Sequence, residues 1–205
     1  MKFSGIIGLI MVLGALLSCG PSKSKEYDVG QIKTPKGEII LWLFDETPNH
    51  KRSFVQLANE GYWDSLTFNR VIPGFVAQGG CPDTPEGFTD PEYLLPPEFN
   101  ANLLHDYGAV GAGRDNNPGK LSARCQFYIV QNKNGVHRLD GDYTVFGKVI
   151  KGMDVVDAIV NVERDSTDKP LEPVVLDVNI IKLTKGELED LGLDPDRNSP
   201  TQPAR

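Results

Sequence analysis

Between positions 62 and 80 the chain reads Tyr62-Trp-Asp-Ser-Leu-Thr-Phe-Asn-Arg-Val-Ile-Pro-Gly-Phe-Val-Ala-Gln-Gly-Gly80. Its two short apolar runs, Leu66–Ile72 and Phe75–Gln78, are each followed by Pro or Gly, a pattern typical of short strands that end in turns. In an extended first run, Arg70 shares a face with Phe68 and Ile72. A guanidinium on an apolar stripe needs a specific role, so the pattern marks Arg70 as a candidate functional residue. From this pattern alone, an outward-facing arginine or a structural ion pair is the more common interpretation.

Further elements are predicted on both sides of this stretch. Thr47 as N-cap, Pro48 in the first turn and Gly61 at the end predict one helix, and an apolar stripe over Met153–Val160 predicts a second. Runs of strand length occur at 38–44, 109–112, 126–130, 144–150 and 174–183.

These elements predict a mainly β fold. Many short strands with two separated helices do not alternate as a parallel sheet requires. An antiparallel sheet that closes into a barrel, with helices over its openings, removes the exposed edges that so many short strands would otherwise present.

The composition fits one globular domain and restricts its partners. The chain has 205 residues, of which 40% are hydrophobic and 24% charged, and these include nine Phe, six Tyr and two Trp. Such a chain forms its own core without a structural cofactor. Its net charge of −7 excludes a role that relies on binding phosphate backbones, so we expect no nucleic-acid partner.

The N-terminus is predicted to export and anchor the chain. Residues 1–18 combine Lys2 with an uncharged run that is too short to span a bilayer, as in a secretory signal peptide. Leu16-Leu17-Ser18-Cys19-Gly20 resembles the bacterial lipobox, whose cysteine carries two acyl chains after cleavage, enough for stable membrane residence. We expect a protein of the bacterial cell envelope, lipid-anchored and facing the periplasm or exterior. A plain signal with an incidental cysteine is the alternative.

The predicted domain organisation has four parts. A signal peptide covers 1–18, a lipid-anchored tether covers 19–26, and the folded domain covers 27–184. Residues 185–205 are rich in Gly, Asp, Pro, Asn and Ser, which predicts a polar, flexible tail.

Four blocks of the folded domain resemble the cyclophilin family of peptidyl-prolyl isomerases. The stretch 62–80 matches without gaps, and three similar blocks follow in the same order. They are Gly108-Ala-Val-Gly-Ala-Gly-Arg114, Cys125-Gln-Phe-Tyr-Ile-Val130 and Leu139-Asp-Gly-Asp-Tyr-Thr-Val-Phe-Gly-Lys-Val149. The resemblance covers about 28–183. It implies a cyclophilin-like closed eight-stranded antiparallel β-barrel capped by two α-helices, and an isomerase that needs no cofactor and no metal.

The same resemblance implies which residues form the site. Arg70 would hold the substrate carbonyl and donate toward the proline nitrogen, with Gln78 as a second polar anchor. Residues predicted to bind substrate are Phe75, Val76, Gly113, Gln126, Tyr128, Leu139 and Tyr143. Strict strand alternation would place Phe75 and Gln78 on opposite faces, so this assignment requires a twist or bulge.

Three positions depart from the pattern of the family. Tyr128 stands where many members have Phe, so its hydroxyl needs a partner if it is buried. Tyr143 replaces a His, and Arg138 stands where drug-sensitive members carry Trp. We therefore expect weakened binding of the inhibitor cyclosporin with catalysis largely kept.

Two cysteines follow Cys19, and their state is open. Cys81 and Cys125 lie beside parts of the predicted site, so a disulfide between them is compatible with an exported protein. Two separate buried thiols are the alternative.

The sequence leaves two functions to compare. The first is a peptidyl-prolyl cis-trans isomerase that acts on Xaa-Pro bonds during the folding of exported proteins. The second is a non-catalytic proline-peptide binding module or chaperone holdase. In both cases the expected partners are proline-containing polypeptides and the membrane, and the expected state is a monomeric domain.

Overall fold

The computed structural model describes residues 24–81 and 94–197. The predicted signal peptide, Cys19, most of the predicted tether and the last eight residues lie outside this part of the chain. No helix within the described residues is long and apolar enough to cross a membrane.

The described residues form ten strands, three α-helices and a short 3₁₀ turn at His137–Leu139. The strands are β1 (Glu26–Thr34), β2 (Gly37–Leu43), β3 (Leu66–Val71), β4 (Val76–Gly79), β5 (Leu94–Leu95), β6 (Ala109–Ala112), β7 (Ser122–Ala123), β8 (Phe127–Val130), β9 (Val145–Lys151) and β10 (Val174–Thr184). The helices are α1 (Pro48–Asn59), α2 (Met153–Val160) and α3 (Lys185–Asp190).

Eight of these strands close into an antiparallel barrel, in the order β1-β10-β3-β4-β8-β6-β9-β2. The remaining two, β5 and β7, form a separate two-stranded sheet. The predicted fold class, a closed eight-stranded antiparallel barrel with two main helices, is confirmed.

Alternation along the strands divides the side chains between two clusters. In β8, Phe127 and Ile129 point into the main core, whereas Tyr128 and Val130 belong to a second cluster on the other face of the sheet. The same alternation holds in β4, where Ala77 lies in the main core and Val76 in the second cluster. This second cluster carries the candidate site.

Both predicted helices are present, but α1 begins differently from the prediction. Thr47 occupies the N-cap position without capping through its side chain. Instead, the carboxylate of Glu98 accepts hydrogen bonds from the backbone N–H groups of Asn49 and His50, both at 3.0 Å. A distant loop therefore satisfies two of the free donors of this helix.

The prediction of a flexible tail from residue 185 is wrong for residues 185–197. Helix α3 starts at a capping box formed by Thr184 and Glu187. Its Leu188, together with Leu193, is buried against Val29 and Ile40 on the barrel wall. The segment is polar in composition, but these two leucines give it an apolar contact with the barrel. At the other end, Glu26 belongs to β1 rather than to the tether.

Candidate active site

A cavity of about 370 Å³ opens on the second cluster of side chains. All nine residues predicted to bind substrate or to catalyse lie around it, together with Arg114 and Arg138. The described residues that line it are Arg70, Phe75, Val76, Gln78, Gly113, Arg114, Gln126, Tyr128, Arg138, Leu139 and Tyr143. Strands β3, β4 and β8, the loops next to them, the loop after β6 and the segment 137–143 bring the four separate blocks of sequence to one place.

The polar side of the cavity is a pair of residues on neighbouring strands. Arg70 of β3 lies directly opposite Gln78 of β4 in the strand register. Its Nη1 donates to Oε1 of Gln78 at 3.3 Å. Because the amide oxygen accepts this bond, it orients the guanidinium while leaving most of its five N–H donors available.

The expectation that Arg70 shares a face with Phe68 is wrong. The pairing of β3 with β4 shifts register between Phe68 and Arg70, so the alternation of side chains is interrupted there. Phe68 and Val71 consequently point into the main core, whereas Arg70 lines the cavity. The irregularity in β3 explains how a charged residue inside an apolar run avoids burial.

The apolar side of the cavity consists of side chains of the second cluster, including Phe75, Val76, Leu139 and Tyr143. Phe75 lies in the turn before β4, where its backbone N–H donates to the carbonyl of Ile72 at 3.0 Å. Strand alternation does not apply outside the strand, so Phe75 and Gln78 reach the same cavity without a bulge in β4. These side chains give one side of the cavity an apolar surface of the kind that can receive a proline ring.

Tyr128 lies at the edge of the cavity over a buried chain of polar groups. Its hydroxyl is 2.7 Å from Nε2 of His105, and Nδ1 of that ring is 2.7 Å from Oδ1 of Asp140. Burial lowers the pKa of His105 despite the neighbouring carboxylate. The neutral ring therefore donates from Nδ1 to Asp140 and accepts a hydrogen bond from the Tyr128 hydroxyl at Nε2. This answers the expectation that a buried Tyr128 hydroxyl needs a partner.

The pKa of Asp140 is lowered. Its partial burial alone would raise the pKa, but hydrogen bonds from the backbone and ring of His105 and from His137 stabilise the carboxylate more strongly. Asp140 therefore remains ionised and ties the buried histidine to the turn that carries Arg138 and Leu139.

Two glycines make room for site residues. A Cβ atom at Gly111 would lie 2.2 Å from Cζ of Tyr128, and a Cβ at Gly113 would lie 2.2 Å from Oε1 of Gln126. Both distances are too short for a real side chain, so glycine at 111 and at 113 leaves the space that Tyr128 and Gln126 occupy. This gives Gly113 a role in positioning Gln126, in addition to lining the cavity.

The sequence does not predict Arg114 as a site residue, and it predicts Arg138 only as a position that weakens cyclosporin binding. Nη2 of Arg114 donates to Oδ2 of Asp142 at 3.0 Å, and its guanidinium lies 4.4 Å from the ring centroid of Tyr143. Arg114 ends one of the quoted blocks, and Arg138 adjoins another, so proximity to these blocks was the available signal. Their orientation toward the cavity depends on contacts between distant segments.

A disulfide in the structure joins Cys81 and Cys125, whose Cα atoms are 5.2 Å apart. Of the two interpretations left open by the sequence, the structure contains the bridge. The carbonyl of Cys125 accepts a 2.9 Å hydrogen bond from Nε1 of Trp63. The disulfide therefore lies at the end of β4 and next to Gln126, beside the candidate site.

Comparisons with known proteins agree with this geometry. Residues 29–180 match the family model of the cyclophilin type peptidyl-prolyl cis-trans isomerases. The chain belongs to the cyclophilin family. Among its relatives is a peptidyl-prolyl cis-trans isomerase of Schizosaccharomyces pombe, 35% identical over 148 residues, which are 70% of this chain and 92% of the relative. Peptidyl-prolyl cis-trans isomerase B of Bacillus subtilis is 41% identical over 119 residues, 57% of this chain and 79% of the relative.

Solved structures resemble this cyclophilin as well. A crystal structure of a Cryptosporidium parvum cyclophilin type peptidyl-prolyl cis-trans isomerase, obtained in the presence of the dipeptide Ala-Pro, has a TM-score of 0.67 and 26% sequence identity. The similarity covers 75% of this chain and 98% of that one. That chain consists of little more than the matched domain.

Two further observations concern the described residues of this cyclophilin. Helix α3 lies beyond residue 180, where the match to the family ends. Within 24–81 and 94–197, no group of three His, Cys, Asp or Glu side chains is arranged to hold a metal ion.

Proposed function

We propose that this cyclophilin catalyses the cis-trans isomerisation of Xaa-Pro bonds in exported polypeptides while a lipid on Cys19 holds it at the membrane. The observation that carries the catalytic part is the position of Arg70, a donor-rich guanidinium oriented by Gln78 at the edge of an apolar pocket. An Xaa-Pro bond must lose its amide resonance as it rotates, which costs about 18–20 kcal/mol, although trans is preferred by less than about 1 kcal/mol. Catalysis therefore requires that the twisted state be bound more tightly than either planar state.

Different residues of the site would stabilise different parts of the twisted peptide. The pocket formed by Phe75, Val76, Leu139 and Tyr143 holds the proline ring, so that the preceding carbonyl rotates while the ring stays fixed. Arg70 donates to the proline nitrogen, which becomes pyramidal and a better acceptor as conjugation is lost. Gln126 offers its amide to the extended peptide backbone in the adjoining groove. If these contacts remove about 6 kcal/mol from the barrier, the rate rises by between four and five powers of ten.

The catalytic proposal is tested with a protease-coupled assay on an Xaa-Pro tetrapeptide, using the chain from Pro21 onward. The Arg70→Ala variant should lose about 100-fold or more in kcat/KM, equivalent to about 3 kcal/mol of transition-state stabilisation. The matched control is Arg52→Ala, because Arg52 is exposed on α1 and hydrogen-bonded to Asn49, outside the cavity. It should retain full activity.

The holdase function makes a different prediction for the same variants. A folded protein that does not accelerate isomerisation, yet suppresses client aggregation equally well with and without Arg70, would replace the enzymatic proposal by the binding module. A circular dichroism spectrum and unfolding curve for each variant establish that it is folded.

The sequence around Cys19 supports membrane anchoring, and the disulfide supports export. Structural disulfides persist in oxidising compartments and are rare in the cytosol. Expressed in a bacterium, the full chain should sediment with membranes, and Cys19 should carry the mass of a diacylglyceryl group. The Cys19→Ser variant should lose both properties. Equal sedimentation of the two chains would refute the lipid anchor without affecting the catalytic proposal.

A further inference from the structure

The cavity carries a strongly positive lining on an acidic protein. Three arginines line it, and no Asp or Glu is among the described residues that do so. The whole chain, by contrast, has a net charge of −7. The positive charge is therefore concentrated where a polypeptide would bind, and the three arginines differ in how far their charge is already compensated.

Two of the arginines have defined partners. Arg114 is ion-paired with Asp142 at 3.0 Å, and only 6% of its side chain is exposed. Arg70 is oriented by Gln78 and, in the proposed mechanism, acts on the rotating bond itself. The charge of Arg114 is therefore compensated by Asp142, whereas the guanidinium of Arg70 is directed to the rotating bond.

Among the described residues, Arg138 is the cavity arginine that has neither an ion-pair partner nor a role at the rotating bond. It is exposed at the rim of the cavity, with its guanidinium carbon 4.6 Å from the ring centroid of Phe75. The ring holds the guanidinium over the pocket by a cation–π contact. Within the described residues, no carboxylate lies within 4.0 Å of its nitrogens.

Two acidic residues that follow Arg138 closely in the sequence are engaged with other partners. Asp140 binds His105 at 2.7 Å and His137 at 3.0 Å. Asp142 binds Arg114 at 3.0 Å and Lys120 at 2.6 Å. A carboxylate on a bound peptide would therefore meet Arg138 without competition from these two groups.

We propose that Arg138 selects substrates with an acidic side chain immediately before or after the proline. This inference rests on the proposed isomerase function and specifies the substrate class of the same site. The peptide carboxylate pairs with Arg138 while the proline occupies the pocket beneath it, and a lysine at the same position is repelled by Arg138 and Arg70 together. Arg138 thus determines specificity, whereas Arg70 acts on the rotating bond.

The expected preference is moderate because Arg138 is exposed. An ion pair at an exposed site changes a binding constant by up to about fivefold. We expect kcat/KM to be about threefold higher for Glu than for Gln at the recognised position. Because Lys adds repulsion to the loss of attraction, Glu should exceed Lys by about tenfold. Both ratios should approach one in 0.5 M NaCl, where exposed charges are screened.

The test measures catalysed cis-trans exchange by NMR line-shape analysis, which needs no protease and so permits any side chain next to the proline. Blocked pentapeptides carry Glu, Gln or Lys either immediately before or immediately after the proline. The proteins are the chain from Pro21 onward and its Arg138→Gln, Arg138→Lys and Arg52→Gln variants. Arg138→Lys keeps the charge, and Arg52→Gln removes an equal charge outside the cavity.

The proposal expects a preference for Glu in at least one of the two positions, lost in Arg138→Gln and retained in Arg138→Lys and Arg52→Gln. Equal rates for Glu, Gln and Lys in both positions would overturn it, as would a preference that survives Arg138→Gln. The neutral Gln peptides separate this result from the function itself. If the Gln peptides are not accelerated, the isomerase proposal fails, whereas acceleration without charge preference refutes only the role of Arg138.

Discussion

Reduction of the Cys81–Cys125 disulfide should lower the free energy of unfolding by about 4 kcal/mol. The bond joins residues 44 positions apart, so it closes a long loop in the unfolded chain. The chain-entropy account assigns about 3 kcal/mol to a 15-residue loop and about 4.7 kcal/mol to a 100-residue loop, which places this loop near 4 kcal/mol. Both cysteines are buried, and Trp63 holds the carbonyl of Cys125, so the folded state should survive reduction.

Equilibrium urea unfolding, followed by tryptophan fluorescence with and without reductant, measures this difference. For a domain of this size, about 4 kcal/mol corresponds to a decrease of roughly 8–16 °C in Tm. The Cys81→Ala/Cys125→Ala variant is the control, because it should be equally stable in both conditions. A change below about 1 kcal/mol on reduction of the wild-type chain would refute the entropic argument, since that argument predicts several times more for a loop of this length.

Three further predictions concern stability. Leu188→Ala should release the segment 185–197 and cost up to about 3 kcal/mol. The prediction is confirmed if hydrogen exchange becomes faster only in that segment and in the strands beneath it, while isomerase activity is retained. A loss of protection throughout the domain would contradict it. Tyr128→Phe leaves Nε2 of the buried His105 without its partner and should lower the free energy of unfolding in urea by about 1–3 kcal/mol. The control Tyr143→Phe should lower it little. Equal losses in the two variants would contradict the buried hydrogen bond. The free energy of unfolding should also fall as the pH drops below about 6.5. Burial lowers the pKa of His50 and of His105 in the folded state, so the unfolded state binds protons more readily in this range. Melting curves between pH 7.5 and 5.5 test this prediction. In a His105→Gln variant, Tm should depend less steeply on pH. A Tm that rises on acidification would contradict the argument.

The weak binding of cyclosporin expected from Arg138 stays a prediction. An affinity equal to that of relatives with Trp at this position would contradict it, and Arg138→Trp should increase binding if the substitution is the cause.

Much of the architecture could be predicted from local patterns. Helix α2 has the predicted limits Met153–Val160, and strand β6 has the predicted limits Ala109–Ala112. Strand β1 was not predicted, because Gly30 and Gln31 interrupt its apolar run. Helix α3 was mistaken for a flexible tail, because two leucines in a polar segment do not show locally which surface they cover.

The sequence by itself determined the barrel class, and the four blocks identified nine residues that the structure gathers around one cavity. Strand alternation and helical periodicity are properties of neighbouring residues, so they can be read directly from the chain. Only the tertiary structure decided how Arg70 leaves the apolar face of β3, how Glu98 caps α1, and how Phe75 supports Arg138. Each of these depends on a register shift or on contacts between segments far apart in sequence. Such contacts form only when the barrel closes, and for that reason no local pattern specifies them.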